Sequence, residues 1–204
     1  MARSVKEVLE EARQLGFLGP GAVEGHIEHS LGFVQAAGHE RPRRVLDLGT
    51  GGGVPGLVLA EAWPEVSMVL LDSSERRTTF LARAVEDLEL ANRVRVHRAR
   101  AEDAGRDLAW RGWADLVVAR SFGPPAVTAE CAAPLLGVRG RLIVSEPPES
   151  DGERWPEAGL ALLGLRASGR LEQAFSRFQI LRQERPCPET FPRRTGMPEK
   201  RPLF

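Results

Sequence analysis

The stretch Arg44-Val-Leu-Asp-Leu-Gly-Thr-Gly-Gly-Gly-Val-Pro-Gly56 decides the fold of this 204-residue chain. It begins as a short apolar β-strand pattern, continues with five glycines in eight residues, and leads into an apolar helical pattern from Leu57. Glycine is required where a chain turns tightly and where backbone approaches a ligand closely. The order strand, glycine loop, helix therefore predicts a nucleotide-binding turn.

Two kinds of cofactor are compatible with this loop. Gly51-x-Gly53-x-x-Gly56 matches the dinucleotide pattern, with Asp72 about twenty residues further on to bind a ribose. Read from Asp47, the same stretch resembles the first motif of class I S-adenosylmethionine (SAM) methyltransferases. A pyrophosphate needs a bare helix N-terminus, whereas SAM carries an ammonium and a sulfonium. The carboxylate of Asp47 therefore favours SAM as the cofactor.

Composition limits the remaining possibilities. The 28 Lys and Arg residues balance the 28 Asp and Glu residues, so any nucleic-acid contact must come from local patches. Cys131 and Cys187 are too few and too isolated for a disulfide framework or a metal site, and no metal is expected. The chain shows no signal-type segment and no run approaching eighteen apolar residues. These features predict a soluble, cytoplasmic protein that does not associate with membranes.

Alternating strand and helix patterns predict the fold class and its organisation. We expect an α/β fold of the class I SAM-dependent methyltransferase (Rossmann-like) type. Its sheet should be seven-stranded and mostly parallel, with helices on both faces and an antiparallel hairpin over residues 164–183. Residues 1–42 form a short N-terminal helical extension, 43–184 the SAM-binding methyltransferase domain, and 185–204 a basic, proline-rich tail packed on the domain.

Several polar residues follow the predicted strands at the edge where parallel strands end. Gly49, Asp72, Glu102 and Arg120 are all delivered to this edge, which is where open parallel sheets bind ligands. The carboxylate of Asp72 could accept both ribose hydroxyls, or it could cap the next helix. Glu102 is open to the same two interpretations, with the adenine end of a nucleoside as its ligand. The convergence of these residues predicts the site better than any one of them.

The helix predicted over residues 22–37 has an apolar face and two histidines. Its apolar positions at helical spacing are Val23, Ile27, Leu31 and Val34. Since no cysteine or carboxylate completes a metal set, His26 and His29 are interpreted as partly exposed polar positions.

Five motifs together resemble one family, the bacterial small-subunit ribosomal RNA guanine-N7 methyltransferases, also called the glucose-inhibited division protein B family. The motifs, which lie between residues 22 and 203, are Asp47-Leu-Gly-Thr-Gly-Gly-Gly-Val-Pro-Gly56, Leu71-Asp-Ser73, Arg100-Ala-Glu102, Ala119-Arg120 and Phe191-Pro-Arg-x-x-Gly-x-Pro-x-Lys-x-Pro-Leu203. The first motif is common among methyltransferases, whereas the last is far more specific to this family. The fifth strand ends in Ser145-Glu146-Pro147, where the family usually has Lys-Gly.

The resemblance implies which residues bind which ligand. SAM would be contacted by Gly49, Val54, Ala101, Glu102 and Arg120 in addition to the loop residues Asp47, Gly51 and Gly53, with Asp72 on the ribose. Three basic residues, Arg100, Arg193 and Lys200, would lie near the RNA, so that the expected partner is ribosomal RNA or the small ribosomal subunit.

Guanine N7 carries a lone pair and loses no proton on methylation, so no general base is needed and no catalytic residue is assigned. Proximity and orientation would accelerate the transfer. Three functions remain open at this point: a ribosomal RNA methyltransferase, a methyltransferase for a small molecule or another RNA, and a SAM-binding protein without catalysis.

Overall fold

The glycine-rich stretch lies at the centre of a seven-stranded sheet. The structure is a computed structural model, and it describes residues 3–150, 153–173 and 176–204. The strands, in chain order, are β1 Arg44–Leu48, β2 Ser67–Asp72, β3 Val94–Arg98, β4 Ala114–Ala119, β5 Leu136–Glu146, β6 Leu165–Glu172 and β7 Arg177–Gln183. They lie in the order β3-β2-β1-β4-β5-β7-β6. The five strands from β3 to β5 are parallel, and β7 is antiparallel to both β5 and β6. The predicted fold class, including the hairpin at the sheet edge, is confirmed; residues 174–175 of that hairpin lie outside the described residues.

Helices cover both faces of the sheet. They are α1 Val5–Gln14, α2 Val23–Ala37, α3 Gly56–Ala62, α4 Glu75–Asp87, α5 Ala101–Arg106, α6 Pro125–Ala132, α7 Glu157–Leu162 and α8 Met197–Lys200, with a 3₁₀ turn at Ala133–Leu135. The central strands β1, β2 and β4 are largely buried and mostly apolar, as expected for strands covered on both faces, whereas the edge strand β3 is polar and partly exposed.

Alternation along the strands separates two apolar cores. In β2, Met68 and Leu70 point into the core shared with α1 to α4, whereas Val69 and Leu71 point into the core shared with α5 to α7. This division follows from the two-residue period of a strand. The site at the end of β2 is therefore fixed by packing from both faces.

The N-terminal extension shares the first of these cores. Helix α1 begins at Ser4, whose hydroxyl accepts the N–H of Glu7 while the Glu7 carboxylate accepts the N–H of Ser4, a capping box. Val8 and Leu9 of this helix are fully buried in the cluster that also contains strand residues of the sheet. The described part of the predicted extension, residues 3–42, thus packs into the same core as the sheet.

The buried face of α2 contains the predicted Val23, with Ile27 and Val34 partly buried against the same core, but it does not contain Leu31. Leu31 is 41 % exposed, whereas His26, Ser30 and Phe33 are buried. The reason is tertiary: Phe33 packs edge-on against Phe178 of β7, with ring centroids 4.7 Å apart, and this contact rotates the buried stripe towards His26. The prediction that His26 is partly exposed was therefore wrong.

Candidate active site

The ends of β1 to β4 meet at one edge of the sheet, as the sequence predicted. Residues that follow these strands, including Gly49, Asp72, Ala101, Glu102 and Phe122, line a cavity of about 320 Å³, here called the cofactor cavity. Its volume falls within the range of small-molecule sites.

A second, smaller cavity lies on the glycine-loop side. It measures about 220 Å³, is lined by Gly51, Val54 and Arg120, and shares Gly49 with the cofactor cavity; it is here called the loop cavity. Gly49 has φ 72°, and a Cβ at this position would lie 2.5 Å from Cδ2 of Phe122. Only glycine fits at the junction of the two cavities, on conformational and on steric grounds.

The buried carboxyl group of Asp47 binds the backbone at the end of the glycine loop. Its Oδ2 accepts the N–H of Gly56 at 2.8 Å, and Oδ1 is buried without a hydrogen-bond partner among the described residues. Burial raises the pKa of Asp47 to about 7, and the negative charge of Asp72 adds to the rise. The neighbouring Thr50 side chain, the bond from Gly56 and the charge of Arg120 oppose it. A buried carboxylate with an unused oxygen is stabilised by a nearby cation.

Asp72 ties the end of β2 to the glycine loop. One carboxylate oxygen accepts the N–H of Gly51 at 3.0 Å, and the other accepts the N–H of Ser74 at 2.8 Å. The guanidinium of Arg77 lies 3.6 Å from the first oxygen. Each carboxylate oxygen has two acceptor positions, so the two oxygens can still accept two ribose hydroxyls. The N-cap of α4 is Ser74, whose hydroxyl accepts the N–H of Arg77. The alternative that Asp72 caps this helix was therefore wrong, and the ribose role stays a prediction that its geometry allows.

Arg120 is held by a residue whose part in the site the sequence did not reveal. Its NH2 donates to Nδ1 of His26 at 2.7 Å, while the other ring nitrogen of His26 lies 3.2 Å from the carbonyl of Gly19. Burial and the Arg120 charge lower the pKa of His26, which keeps the ring neutral and Nδ1 an acceptor. The NH1 of Arg120 is buried and has no acceptor among the described residues. It is a charged donor that suits a carboxylate ligand.

These contacts distinguish SAM from a dinucleotide. A pyrophosphate would need free N–H groups at the start of α3. That helix begins at Gly56, whose N–H is already donated to Asp47, and the preceding residue is Pro55, which has no N–H. The N–H groups at the start of α3 are thus not free to bind a phosphate. The residues present fit a cationic nucleoside and do not fit a pyrophosphate.

Comparison with known proteins agrees with this geometry. Residues 20–149 match the model of the GidB family, rRNA small subunit methyltransferase G. The chain is 39 % identical over 173 residues to the ribosomal RNA small subunit methyltransferase G of Prochlorococcus marinus strain MIT 9303, covering 80 % of this chain and 69 % of the relative. The protein of that name from Moorella thermoacetica is 35 % identical over 185 residues, covering 87 % and 77 %. The chain belongs to the rRNA small subunit methyltransferase G family.

Solved structures support the fold of this family member. A putative sarcosine dimethylglycine methyltransferase from Galdieria sulphuraria has a TM-score of 0.60 at 13 % identity, over 79 % of this chain and 86 % of that one. The 16S rRNA N2 G1207 methyltransferase RsmC of Thermus thermophilus, in complex with AdoMet and guanosine, has a TM-score of 0.54 at 21 % identity, over 80 % and 40 %. At such identities the likeness concerns the fold alone.

The C-terminal tail, residues 185–204, is bound to the domain by many polar contacts. Arg193 forms a two-fold contact with Glu130, from Nε to Oε1 at 2.8 Å and from NH2 to Oε2 at 2.6 Å, and its backbone N–H donates to the same Oε1. The guanidinium of Arg111 donates to the carbonyls of Cys187, Pro188 and Phe191. The tail is thus an ordered part of the domain.

The same tail reaches the cofactor cavity. The N–H of Gly196 donates to Oε1 of Glu102 at 2.8 Å, and Glu199 is among the residues that line the cavity. Glu102 also lies 3.6 Å from the guanidinium of Arg100. Glu102 is therefore held by the tail as well as placed beside the cavity.

The structure brings most of the predicted site residues together. Gly49, Asp72, Arg100, Ala101 and Glu102 line the cofactor cavity, and Gly51, Val54 and Arg120 line the loop cavity. Asp47 and Gly53 are buried on the inner side of the loop. Lys200 is exposed on α8, and Arg193 is directed at Glu130. The ligand roles of all these residues remain predictions.

Two further findings concern ligands and membranes. Within the described residues, no group of three or more His, Cys, Asp or Glu side chains is placed to hold a metal ion. None of the helices in the described ranges has both the length and the apolar character needed to cross a bilayer.

Proposed function

We propose that this protein transfers the methyl group of SAM to N7 of a guanine in small-subunit ribosomal RNA. Family membership supports the reaction and the substrate class. The observation that carries the cofactor assignment is the contact between Asp47 and the N–H of Gly56, because it occupies the N–H that a phosphate would need at the start of α3.

Three parts of SAM, the ribose, the methionine carboxylate and the adenine, have residues of matching chemistry. Asp72 would hold the ribose hydroxyls, and the unpartnered NH1 of Arg120 would hold the methionine carboxylate. Glu102 and Ala101 would lie beside the adenine. Bound SAM would supply an electrophilic methyl group on a sulfonium. The protein's own contribution is to place the acceptor, since a guanine N7 needs no base to remove a proton.

The rim of the cofactor cavity supplies positive charge for RNA. The side chains of Arg77 and Arg100 line the cavity and are 43 % and 50 % exposed, and Lys200 follows Glu199 on the tail. Arginine at such positions can bind two phosphate oxygens at once. Because the overall charge is balanced, we expect RNA contacts to be restricted to this rim.

The test is to incubate the protein with methyl-labelled SAM and small ribosomal subunits, or RNA extracted from them, and to map labelled N7-methylguanine. Asp72→Ala is the control, since it should lose transfer through loss of SAM. Label at another atom, or only on a small molecule, would contradict the proposal. Lys200→Ala should lower the slope of log affinity for RNA against log salt by about one unit.

A further inference from the structure

A third cavity lies next to the cofactor cavity, on the far side of Phe122. It measures about 250 Å³, and its wall contains Phe122, Ser145, Glu146, Arg154 and Trp155; it is here called the distal cavity. Phe122 and its neighbours 121 and 123 line both cavities. A planar group in the distal cavity would thus lie directly beside the cofactor.

The far wall of the distal cavity contains a buried acceptor. Glu146 is the last residue of β5, and its side chain is 4 % exposed. Oε2 accepts the hydroxyl of Ser150 and, at 3.1 Å, NH1 of Arg154. Oε1 has no hydrogen-bond partner within the described part of the chain. A carboxylate oriented in this way can accept two further N–H groups.

The same wall contains a buried donor. Trp155 is 5 % exposed, and its indole Nε1–H has no acceptor among the described residues. Buried polar groups are normally hydrogen-bonded, so an unpaired one needs an explanation. The distal cavity therefore presents an acceptor, a donor and the aromatic ring of Phe122.

We infer that the distal cavity receives the target guanine and that Glu146 selects it. This inference rests on the proposed function. N7 lies at one end of guanine, and N1–H and the N2 amino group lie at the other. A base with N7 towards the cofactor cavity therefore directs those two donors to the far wall, where the Glu146 carboxylate accepts them.

The remaining groups of the wall complete the recognition of this base. The indole N–H of Trp155 supplies a donor for guanine O6, and the ring of Phe122 supplies a stacking surface. Adenine has an acceptor at N1 and no amino group at C2, so it would place a lone pair against the Glu146 carboxylate. The arrangement thus selects guanine over adenine at the level of the base.

The test replaces the mapped target guanosine by inosine, which keeps N7, O6 and N1–H but lacks the N2 amino group. We expect wild-type kcat/KM to be about tenfold or more higher for guanosine, the factor expected for a hydrogen bond to a charged group. Glu146→Gln should lower kcat/KM for guanosine by a similar factor and reduce the guanosine-to-inosine ratio towards one.

Two control variants test whether Glu146 selects the base or only stabilises the fold. Ser150→Ala removes the neighbouring hydrogen bond and leaves the carboxylate, so its ratio should equal that of the wild type. Glu184→Gln, an exposed carboxylate paired with Arg166, should change neither rate nor ratio. SAM affinity and melting temperature of each variant report folding, and a wild-type ratio near one overturns the role of Glu146 even if Glu146→Gln does not fold.

The outcomes distinguish this inference from the function on which it rests. Wild-type protein that methylates guanosine and inosine equally overturns the role of Glu146 and leaves the proposed function intact. An unchanged ratio in a folded Glu146→Gln variant has the same meaning. Wild-type protein that transfers methyl to no ribosomal RNA guanine removes both.

Discussion

Replacement of Arg193 by alanine distinguishes a structural tail from an RNA-binding tail. Arg193 meets the fully buried carboxylate of Glu130 through both its side chain and its backbone. Removing one partner of a buried ion pair costs about 3–5 kcal/mol. Because the Arg193 side chain is 26 % exposed, we expect the lower end of that range, about 3 kcal/mol. For a chain of this size the melting temperature should then fall by about 6–12 °C.

The assay is urea denaturation followed by tryptophan fluorescence, together with SAM titration calorimetry. Arg194→Ala is the matched control, because Arg194 is exposed in the same tail and should change stability by about 0.5 kcal/mol or less. In a double-mutant cycle with Glu130→Gln, the two losses should be clearly less than additive. SAM affinity of Arg193→Ala should also weaken, because the tail holds Glu102.

The result that would refute this reasoning is a stable Arg193→Ala variant. If its free energy of unfolding matches that of Arg194→Ala while the salt dependence of RNA binding becomes flatter, Arg193 acts on phosphate as the sequence suggested. Loss of stability with an unchanged salt slope leaves Lys200 and Arg100 as the RNA candidates.

Three further predictions concern the cofactor site. Asp72→Asn should weaken SAM binding about tenfold by calorimetry, since the charged acceptor of the ribose is lost; an unchanged affinity would exclude the ribose role. Gly49→Ala should abolish SAM binding because its Cβ would meet Phe122. Gly51→Ala should still bind SAM measurably, because its Cβ would have no neighbour closer than 3.7 Å. Equal losses of SAM affinity in the two variants would contradict the steric argument. The Asp47 carboxyl has a pKa raised to about 7, so the folded state holds its proton more tightly and loses stability as the pH rises from about 4 to about 7. Asp47→Asn should remove this decline in thermal melts, and a decline of the same size in the variant would show that other groups cause it.

Local sequence was enough to predict the centre of the site. The glycine loop, the strands beside it and the position of Asp72 depend on residues within about thirty positions of one another, and on the rule that parallel strands end at one edge.

The predictions that failed or fell short depend on distant partners. The burial of His26 depends on Arg120, which lies 94 positions away, and the buried stripe of α2 depends on Phe178. The partner of Arg193 lies 63 positions earlier in the chain. Hydrophobic residues at helical spacing predict a helix, but they do not predict which polar groups of other elements will pack on it and bury one of its faces.

The contact between the tail and Glu102 determines how late in synthesis of the chain the cofactor site can be complete. Translation produces the loop, Asp72 and Arg120 first, and the sheet is complete once β7 has been made. Gly196 and Glu199 come later, so a nascent chain can fold its sheet while one wall of the cofactor cavity is still missing. A chain interrupted after β7 would keep Glu130 buried without its cation and Glu102 without its backbone donor. The last wall of the cofactor cavity is therefore made from residues that the ribosome adds after the sheet is complete.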